Sequence, residues 1–360
     1  MAELLEYKCP SCGGAINFDS ASQQMVCPYC DTSFEIADIQ AYNEELAKEQ
    51  PSNISWDMDT TDDWGGEDAK IGIYSCKSCG GEIIGDETTA AMSCPYCDNP
   101  VVMSGQLSGV LKPDLIIPFK LDKKLAKEAY AKHLMGKKLL PKVFRDQNHI
   151  DEIKGVYVPF WLFDADADVS IRYKGQQVNS WSDSKYRYTE TKHFSVLREG
   201  SIAYDNVPVD GSQKMDDTLM ESLEPYNMAD AVDFRTAYLA GYLADKYDVD
   251  ADASIGRVND RMATSAEDEF RGTVVGFSNL IVEHSSINVK NGRAWYALLP
   301  VWLLNTTWKD QKFVFAMNGQ TGKFVGDLPT DKGLFWKWFG IVGAAATAVA
   351  FGVQLLISML

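Results

Sequence analysis

Basic charge is scarce in this chain. Lysine and arginine total 34 against 51 acidic residues, giving a formal net charge of −17 at pH 7. Nucleic-acid binding needs a basic surface that displaces counterions from phosphates. No segment supplies one, so no nucleic-acid partner is expected. Histidine is scarcer still. His133, His149, His193 and His284 form no HExxH or other tight metal-binding spacing. Gly319-Gln320-Thr321-Gly322-Lys323 lacks the spacing of a Walker A loop, and there is no GxSxG elbow. No catalytic residue emerges, and an enzyme is not expected. MAELLEYK carries no signal-peptide pattern, so the expected setting is a reducing cytosol.

Cysteine is also absent from most of the sequence, because all eight residues fall in two copies of Cys-x2-Cys-x14-Cys-x2-Cys. The first copy is Cys9, Cys12, Cys27 and Cys30, and the second is Cys76, Cys79, Cys94 and Cys97. At a constant offset of 67, Gly13-Gly14 matches Gly80-Gly81, and Cys27-Pro28-Tyr29-Cys30-Asp31 matches Cys94-Pro95-Tyr96-Cys97-Asp98. Two CxxC turns joined by a short hairpin bring four thiolates to the corners of a tetrahedron, the geometry of a structural zinc site. CPYC alone would also suit a glutaredoxin-type pair. That chemistry needs a thioredoxin-like βαβ unit, which a segment of about 30 residues cannot hold. Iron and disulfides are the remaining alternatives. The expectation is two zinc ions per chain, with each ribbon folded by its own metal and loss of one ligand felt only locally.

Long apolar runs are likewise missing until Phe339 to Leu360, FGIVGAAATAVAFGVQLLISML. Twenty-two residues at a 1.5 Å rise reach ~33 Å, enough for a bilayer core of about 30 Å. Trp336, Trp338, Lys332 and Lys337 flank it, as interfacial residues do, which predicts a C-terminal anchor with the body in the cytoplasm. Gly340, Ala344, Ala348 and Gly352 recur at i, i+4 and mark a face on which another helix could pack closely. Alanine and glycine are also common filler in such spans.

Between these ends, Ile36 to Lys48 has helical spacing, and the following PSNISWDMDTTDDWGGEDAK reads as a flexible acidic linker. Its Trp56, Met58 and Trp64 would dock on a partner or touch the neighbouring ribbons. Leu111 to Pro329 reads as an α+β body. Strands are expected over Lys112–Phe119 and Val156–Phe163, a helix over Asp122–Leu134 with Asp122 as N-cap, and mostly helix over Leu219–Tyr247. A long helix is expected from Ala251 to Phe270, and strands from Ala294 to Asp327 with a hairpin turn at Asn318-Gly319. Asp164, Asp166 and Asp168 alternate on one strand face. They suit a solvated surface, with a divalent-cation site as the alternative. Asp248, Asp250 and Asp252 suit a helix N-terminus. Val158-Pro159-Phe160-Trp161-Leu162 resembles Leu299-Pro300-Val301-Trp302-Leu303, which suggests two related halves, with each proline at a strand edge or start.

Taken together, the paired CxxCGG/CPYC segments, KKLLPKVF, GVYVPFWLFDAD, AYLAGYLADKYDVD and FAMNGQTGKFVGDLP resemble the bacterial TFIIB-type zinc-ribbon-containing membrane proteins. The resemblance covers nearly the whole chain. Members are sometimes labelled primosomal or helicase-like, but no helicase motif matches here. Such proteins are often encoded beside phage-shock-protein-A-like and SPFH (flotillin-like) proteins. The resemblance therefore implies a membrane-associated scaffold linked to envelope stress, with membrane proteins, including an SPFH-like one, as partners. The expected domains are 1–36 ribbon 1, 37–73 helix and linker, 74–104 ribbon 2, 105–331 α+β body and 332–360 anchor. A replication-type nucleic-acid factor and a thiol–disulfide redox protein are the alternative functions.

Overall fold

The computed structural model describes residues 7–20, 22–48, 54–56, 72–85, 93–106, 111–146, 150 and 152–359. Met58, Trp64 and His149 lie outside the described residues. The strands, in chain order, are β1 (Asn17–Asp19), β2 (Gln24–Val26), β3 (Ser33–Phe34), β4 (Ile54–Trp56), β5 (Gly72–Cys76), β6 (Glu82–Gly85), β7 (Val101–Gln106) and β8 (Leu115–Ile116). They continue with β9 (Lys154–Ser182), β10 (Arg187–Asp210), β11 (Val232–Asp233), β12 (Leu243–Asp245), β13 (Asn279–Trp308), β14 (Gln311–Asn318) and β15 (Phe324–Val325). The chain divides into two compact units. Unit 1 is Met1–Met58, Phe163–Val207 and Ile255–Arg293, and unit 2 is Asp59–Leu162, Pro208–Ser254 and Ala294–Leu360.

In unit 1, β1, β2 and β3 form a small antiparallel sheet. Its core is Cys9, Ile16, Met25, Cys27 and Ile39. Ile39 comes from the helix Ile36–Lys48, so that helix completes the first cysteine segment. In the same unit, β10 pairs with β9 and β4 with β13. Strict alternation gives β9 two different faces. Ala165, Ala167, Val169, Ile171 and Tyr173 are buried, while Asp166 and Asp168 are exposed on the other face. The helix Ala251–Gly272 accepts from the buried face: Tyr204 Oη donates to Met262 O at 2.8 Å and Tyr173 Oη to Glu267 O at 3.4 Å. The three carboxylates take separate partners. Asp164 accepts from Asn206 N, Asp166 from Asn291 Nδ2, and Asp168 from Lys290 and Ser201. Trp56 packs edge-on against Phe163 at 5.2 Å, and its Nε1 donates to Asn259 Oδ1 at 3.2 Å. The expected linker thus includes a strand, with β4 pairing β13, and Trp56 packs on Phe163 and Asn259.

Unit 2 contains a sheet in the order β11-β8-β13-β9-β12-β6-β5-β7, and the duplication is visible in it. β8 pairs in parallel with β13 through Leu115↔Ala297, and β12 pairs in parallel with β9 through Leu243↔Val156. Trp302 Nε1 donates to Leu121 O at 3.0 Å, and Trp161 Nε1 donates to Val249 O at 2.9 Å. Each of those carbonyls precedes an aspartate that caps a helix: Asp122 accepts from Leu125 N, and Asp250 from Ala253 N. Pro300 O accepts from Gly319 N and Pro159 O from Gly211 N. The chain therefore runs through strand–helix–strand–strand twice, and each run lends its short strand to the other's Pro-x-Trp-Leu strand. Pro159 sits inside a central strand, not at an edge. The ladder with β12 covers Val156 and Tyr157 and stops before it.

Leu219–Tyr247 is not mostly helix. It holds the short helix Asp217–Ser222, 3-10 turns at Met228–Asp230 and Thr236–Leu239, and strands β11 and β12. Pro225 interrupts it and Gly241 has φ +83°, while tertiary pairing of Leu243–Asp245 overrides helix propensity. The Asn318-Gly319 turn is longer than a two-residue hairpin. Asn318 N donates to Lys323 O, while Asn318 Oδ1 accepts from Gln320 N and Thr321 N. Finally, Lys332–Met359 is a helix capped by Asp331, whose Oδ1 accepts from Gly333 N and Leu334 N. Its Lys332–Gln354 stretch has mean hydropathy 1.5 and is 0% buried. It is long and apolar enough to cross a membrane. A Cβ built at Gly340 or Gly352 meets nothing within 4 Å, and Ala344 and Ala348 are exposed on the same helix.

Candidate metal centres

All eight cysteines gather into the two expected groups, within each of which the Sγ atoms lie within 4.8 Å of one another. Each group is made by two identical backbone turns. Cys9 N donates to Gly14 O at 2.8 Å and Gly13 N to Cys9 O at 2.8 Å, and Cys76, Gly80 and Gly81 repeat the pattern. Cys27 N donates to Thr32 O at 3.0 Å and Asp31 N to Cys27 O at 2.9 Å, and Cys94, Asp98 and Asn99 repeat that one. The turn is completed in the left-handed region: Gly13 and Gly80 have φ +75° and +72°, Asp31 and Asp98 +54° and +60°. Glycine and aspartate are the residues that tolerate this conformation. Gly14 and Gly81 are fixed by a neighbour instead. A Cβ there would lie 2.6 Å from the Tyr29 ring or 3.1 Å from the Tyr96 ring, which explains why CxxCGG and CPYC occur together.

The sulfur spacing suits a metal. Cys9–Cys30 and Cys12–Cys27 are 3.7 and 3.5 Å apart, and Cys76–Cys97 and Cys79–Cys94 are 3.4 and 3.6 Å apart. A tetrahedron with metal–sulfur bonds of about 2.3 Å has edges of about 3.8 Å, whereas a disulfide bond is about 2.05 Å. All eight thiols are free of disulfides. Each group can hold one metal ion, two in the chain.

Two residues that the motif does not include tune the thiols. Thr32 Oγ1 lies 3.2 Å from Cys30 Sγ and holds that thiol down to about 6. Burial pushes the Cys97 thiol up, but Asn99 outweighs it through its side chain, with Nδ2 3.5 Å from Sγ, and its backbone, leaving a value of about 6. In contrast, burial pushes Cys9 up to about 12 and raises Cys94 too. Thr32 and Asn99 stand at the same offset of 67, a repeat legible only by function, since both residues are hydrogen-bond donors.

The two centres differ in their surroundings. The first has its own small core. The second is part of the main core of unit 2, where Cys76 and Cys94 pack with Tyr74, Ile83, Val156 and Val158. Its strand β6 pairs with β12 through Ala244↔Ile84 and Asp245↔Ile83. Asn305 Nδ2 also donates to Pro95 O at 2.5 Å.

The chain is 35% identical over 347 residues to a Bacillus subtilis (strain 168) protein bearing the description uncharacterized protein YdjG, and 96% of each chain is covered. This chain belongs to the YdjG family. No family model matches it, and no solved structure does.

Proposed function

We propose that this protein is a membrane-anchored scaffold whose two zinc ribbons and α+β body dock partner proteins at the membrane. One observation carries the reading: the apolar stretch Lys332–Gln354 is 0% buried, and such a surface needs lipid or another apolar partner. The lysines and tryptophans at its start support a body on the cytoplasmic side. Zinc is the metal that best suits two closed sets of four thiolates in a structural role. The resemblance to zinc-ribbon membrane proteins supports membrane proteins, an SPFH-like one among them, as partners, and envelope stress as the setting.

Membrane fractionation tests the anchor. The full chain should stay with membranes through an alkaline carbonate wash, and a chain ending at Asp331 should be released. Retention of the shortened chain would overturn the anchor. Crosslinking in gently solubilised membranes, followed by identification of the captured proteins, tests the scaffold role. An excess of nucleic-acid-binding proteins, together with salt-dependent DNA binding by the purified chain, would favour the replication-factor reading that the charge of −17 opposes.

A further inference from the structure

The net charge of −17 hides one basic segment. Ala129 to Arg145 holds Lys132, Lys137, Lys138, Lys142 and Arg145 and no acid. The expectation that no segment supplies a basic surface is therefore corrected, and the fold explains why. In the sequence these bases are interspersed with Leu134, Leu140 and Phe144. Folding buries those three in one cluster with Tyr130, Phe315 and Met317, and all five bases are left exposed. Tyr130 Oη donates to Phe144 O at 3.0 Å and Arg145 Nη2 to Lys137 O at 2.6 Å. The chain beyond the helix Lys123–Leu134 is thus held as a fixed platform. Lys132 lies in the last turn of that helix, where the dipole alone favours a cation, but the other four bases lie beyond it. Among the described residues, no carboxylate pairs with any of the five.

Position decides what such a surface meets. The platform sits at the foot of the terminal helix. Asp331 N donates to Leu139 O at 2.9 Å, and Lys138 Nζ stands 4.6 Å from the centre of the Trp338 ring. Lys332 and Lys337 of the helix itself are exposed as well. Tryptophans at the start of a span mark the level of the lipid headgroups. The Debye length at physiological salt is about 8 Å, so a base this close to such a ring feels headgroup charge with little screening. Met135 and Val143, in the same platform, are 75% and 36% exposed. Apolar side chains set among bases suit the boundary between headgroups and acyl chains.

We propose that this platform binds anionic phospholipid headgroups in the leaflet around the terminal helix, with Lys137, Lys138 and Lys142 on phosphates and Met135 and Val143 dipping below them. The proposal rests on the membrane-anchor reading and adds a preference for lipid charge to it. Basic clusters beside a span are drawn to the negative surface potential of an anionic leaflet. A nucleic acid would engage the same bases, but it would gain nothing from Met135 or from the tryptophans beside them.

Tryptophan fluorescence of the metal-loaded full chain tests this in vesicles of equal phosphatidylcholine and phosphatidylglycerol, with acyl-chain bromine on one lipid or the other. Bromine on phosphatidylglycerol should quench about twofold more strongly than bromine on phosphatidylcholine. The difference should shrink at about 0.5 M salt. Joint replacement Lys137→Gln, Lys138→Gln and Lys142→Gln should remove it. Met135→Glu should reduce it too, which covers the case in which the triple variant does not fold. Joint replacement Lys185→Gln, Lys192→Gln and Lys309→Gln removes the same charge elsewhere and should leave it intact. Equal quenching by the two lipids, in vesicles that keep the chain through an alkaline carbonate wash, would overturn the proposal and leave the anchor standing. Release of the chain by that wash would overturn both. An equal loss in the control variant would also overturn the proposal. So would equal quenching accompanied by duplex-oligonucleotide binding that the first triple variant abolishes, which would assign the surface to nucleic acid.

Discussion

Lys154 Nζ donates to the carbonyl of Cys94 at 3.0 Å, so the central strand β9 grips the second cysteine centre directly. The same ammonium reaches Ser93 Oγ at 2.7 Å and pairs with Asp98. The second ribbon is thus a structural part of unit 2 and not a bead on a linker, and the expectation that losing one ligand is felt only locally changes. Cys94→Ser should destabilise the whole of unit 2, by about 3 kcal/mol or more, as loss of a structural metal would. Cys27→Ser should disturb only the small first core. Hydrogen exchange measured on both variants checks this: amides of β9, β12 and β13 near Val156, Leu243 and Ala297 should lose protection in the first variant and keep it in the second.

The donors to the thiols should set the acid stability of the metal centres. Metal binding requires thiolates, and Thr32 keeps Cys30 at about 6. A depressed thiol pKa favours the bound state above it, and that advantage is lost as pH falls through it. Thr32→Val should therefore shift the midpoint of metal release to higher pH and weaken metal affinity about 10-fold to 100-fold. Asn99→Leu should do the same at the second centre. Release followed with a chromogenic chelator against pH reads both effects.

Asp245 should make unit 2 less stable as the solution becomes more alkaline. Burial pushes its carboxyl up to about 7 from 3.8, against the stabilising bond from Ser212 Oγ at 2.6 Å. An acid whose folded pKa is raised contributes most below its unfolded value, and that contribution is lost as pH rises through the folded one. Stability should thus decline between about pH 4 and pH 7, by up to about 4 kcal/mol if the whole shift is expressed. Asp245→Asn keeps an acceptor for Ser212 and should flatten the decline. Denaturant melts at a series of pH values would show it, and an unchanged slope in the variant would refute the assignment.

Trp302→Phe should cost about 1–3 kcal/mol, because the indole N–H that satisfies Leu121 O is lost beside a packed ring cluster. Trp161→Phe should cost a similar amount through Val249 O. Equality of the two effects in denaturant unfolding is the signature of the duplicated architecture, and a silent variant at either site would break the equivalence.

Much of this was legible in the sequence because the signal was local. Cysteine spacing, the Asp122 cap, the long helix after Asp250 and the terminal apolar run all depend on residues close together in the chain. Pro159-x-Trp161 and Pro300-x-Trp302 betrayed the duplication, since each tryptophan has one job, closing the turn before a helix cap. What stayed hidden was non-local. Leu243–Asp245 has a helix-forming neighbourhood and becomes a strand only because β9 and β6 lie on either side of it. Thr32 and Asn99 share a role without sharing an identity.

The exchange of short strands between the repeats bears on how the chain can fold. Leu115 waits for Ala297 and Val156 for Leu243, so neither repeat can close its ladder from its own residues. Contacts so distant in sequence make folding slow, and no autonomous half exists to act as an early intermediate. Until residues as far as Leu298 have been made, β8 has an unpaired side, an open edge prone to mispairing. A chaperone, or the metal bound early by the ribbons, has its greatest leverage in that interval.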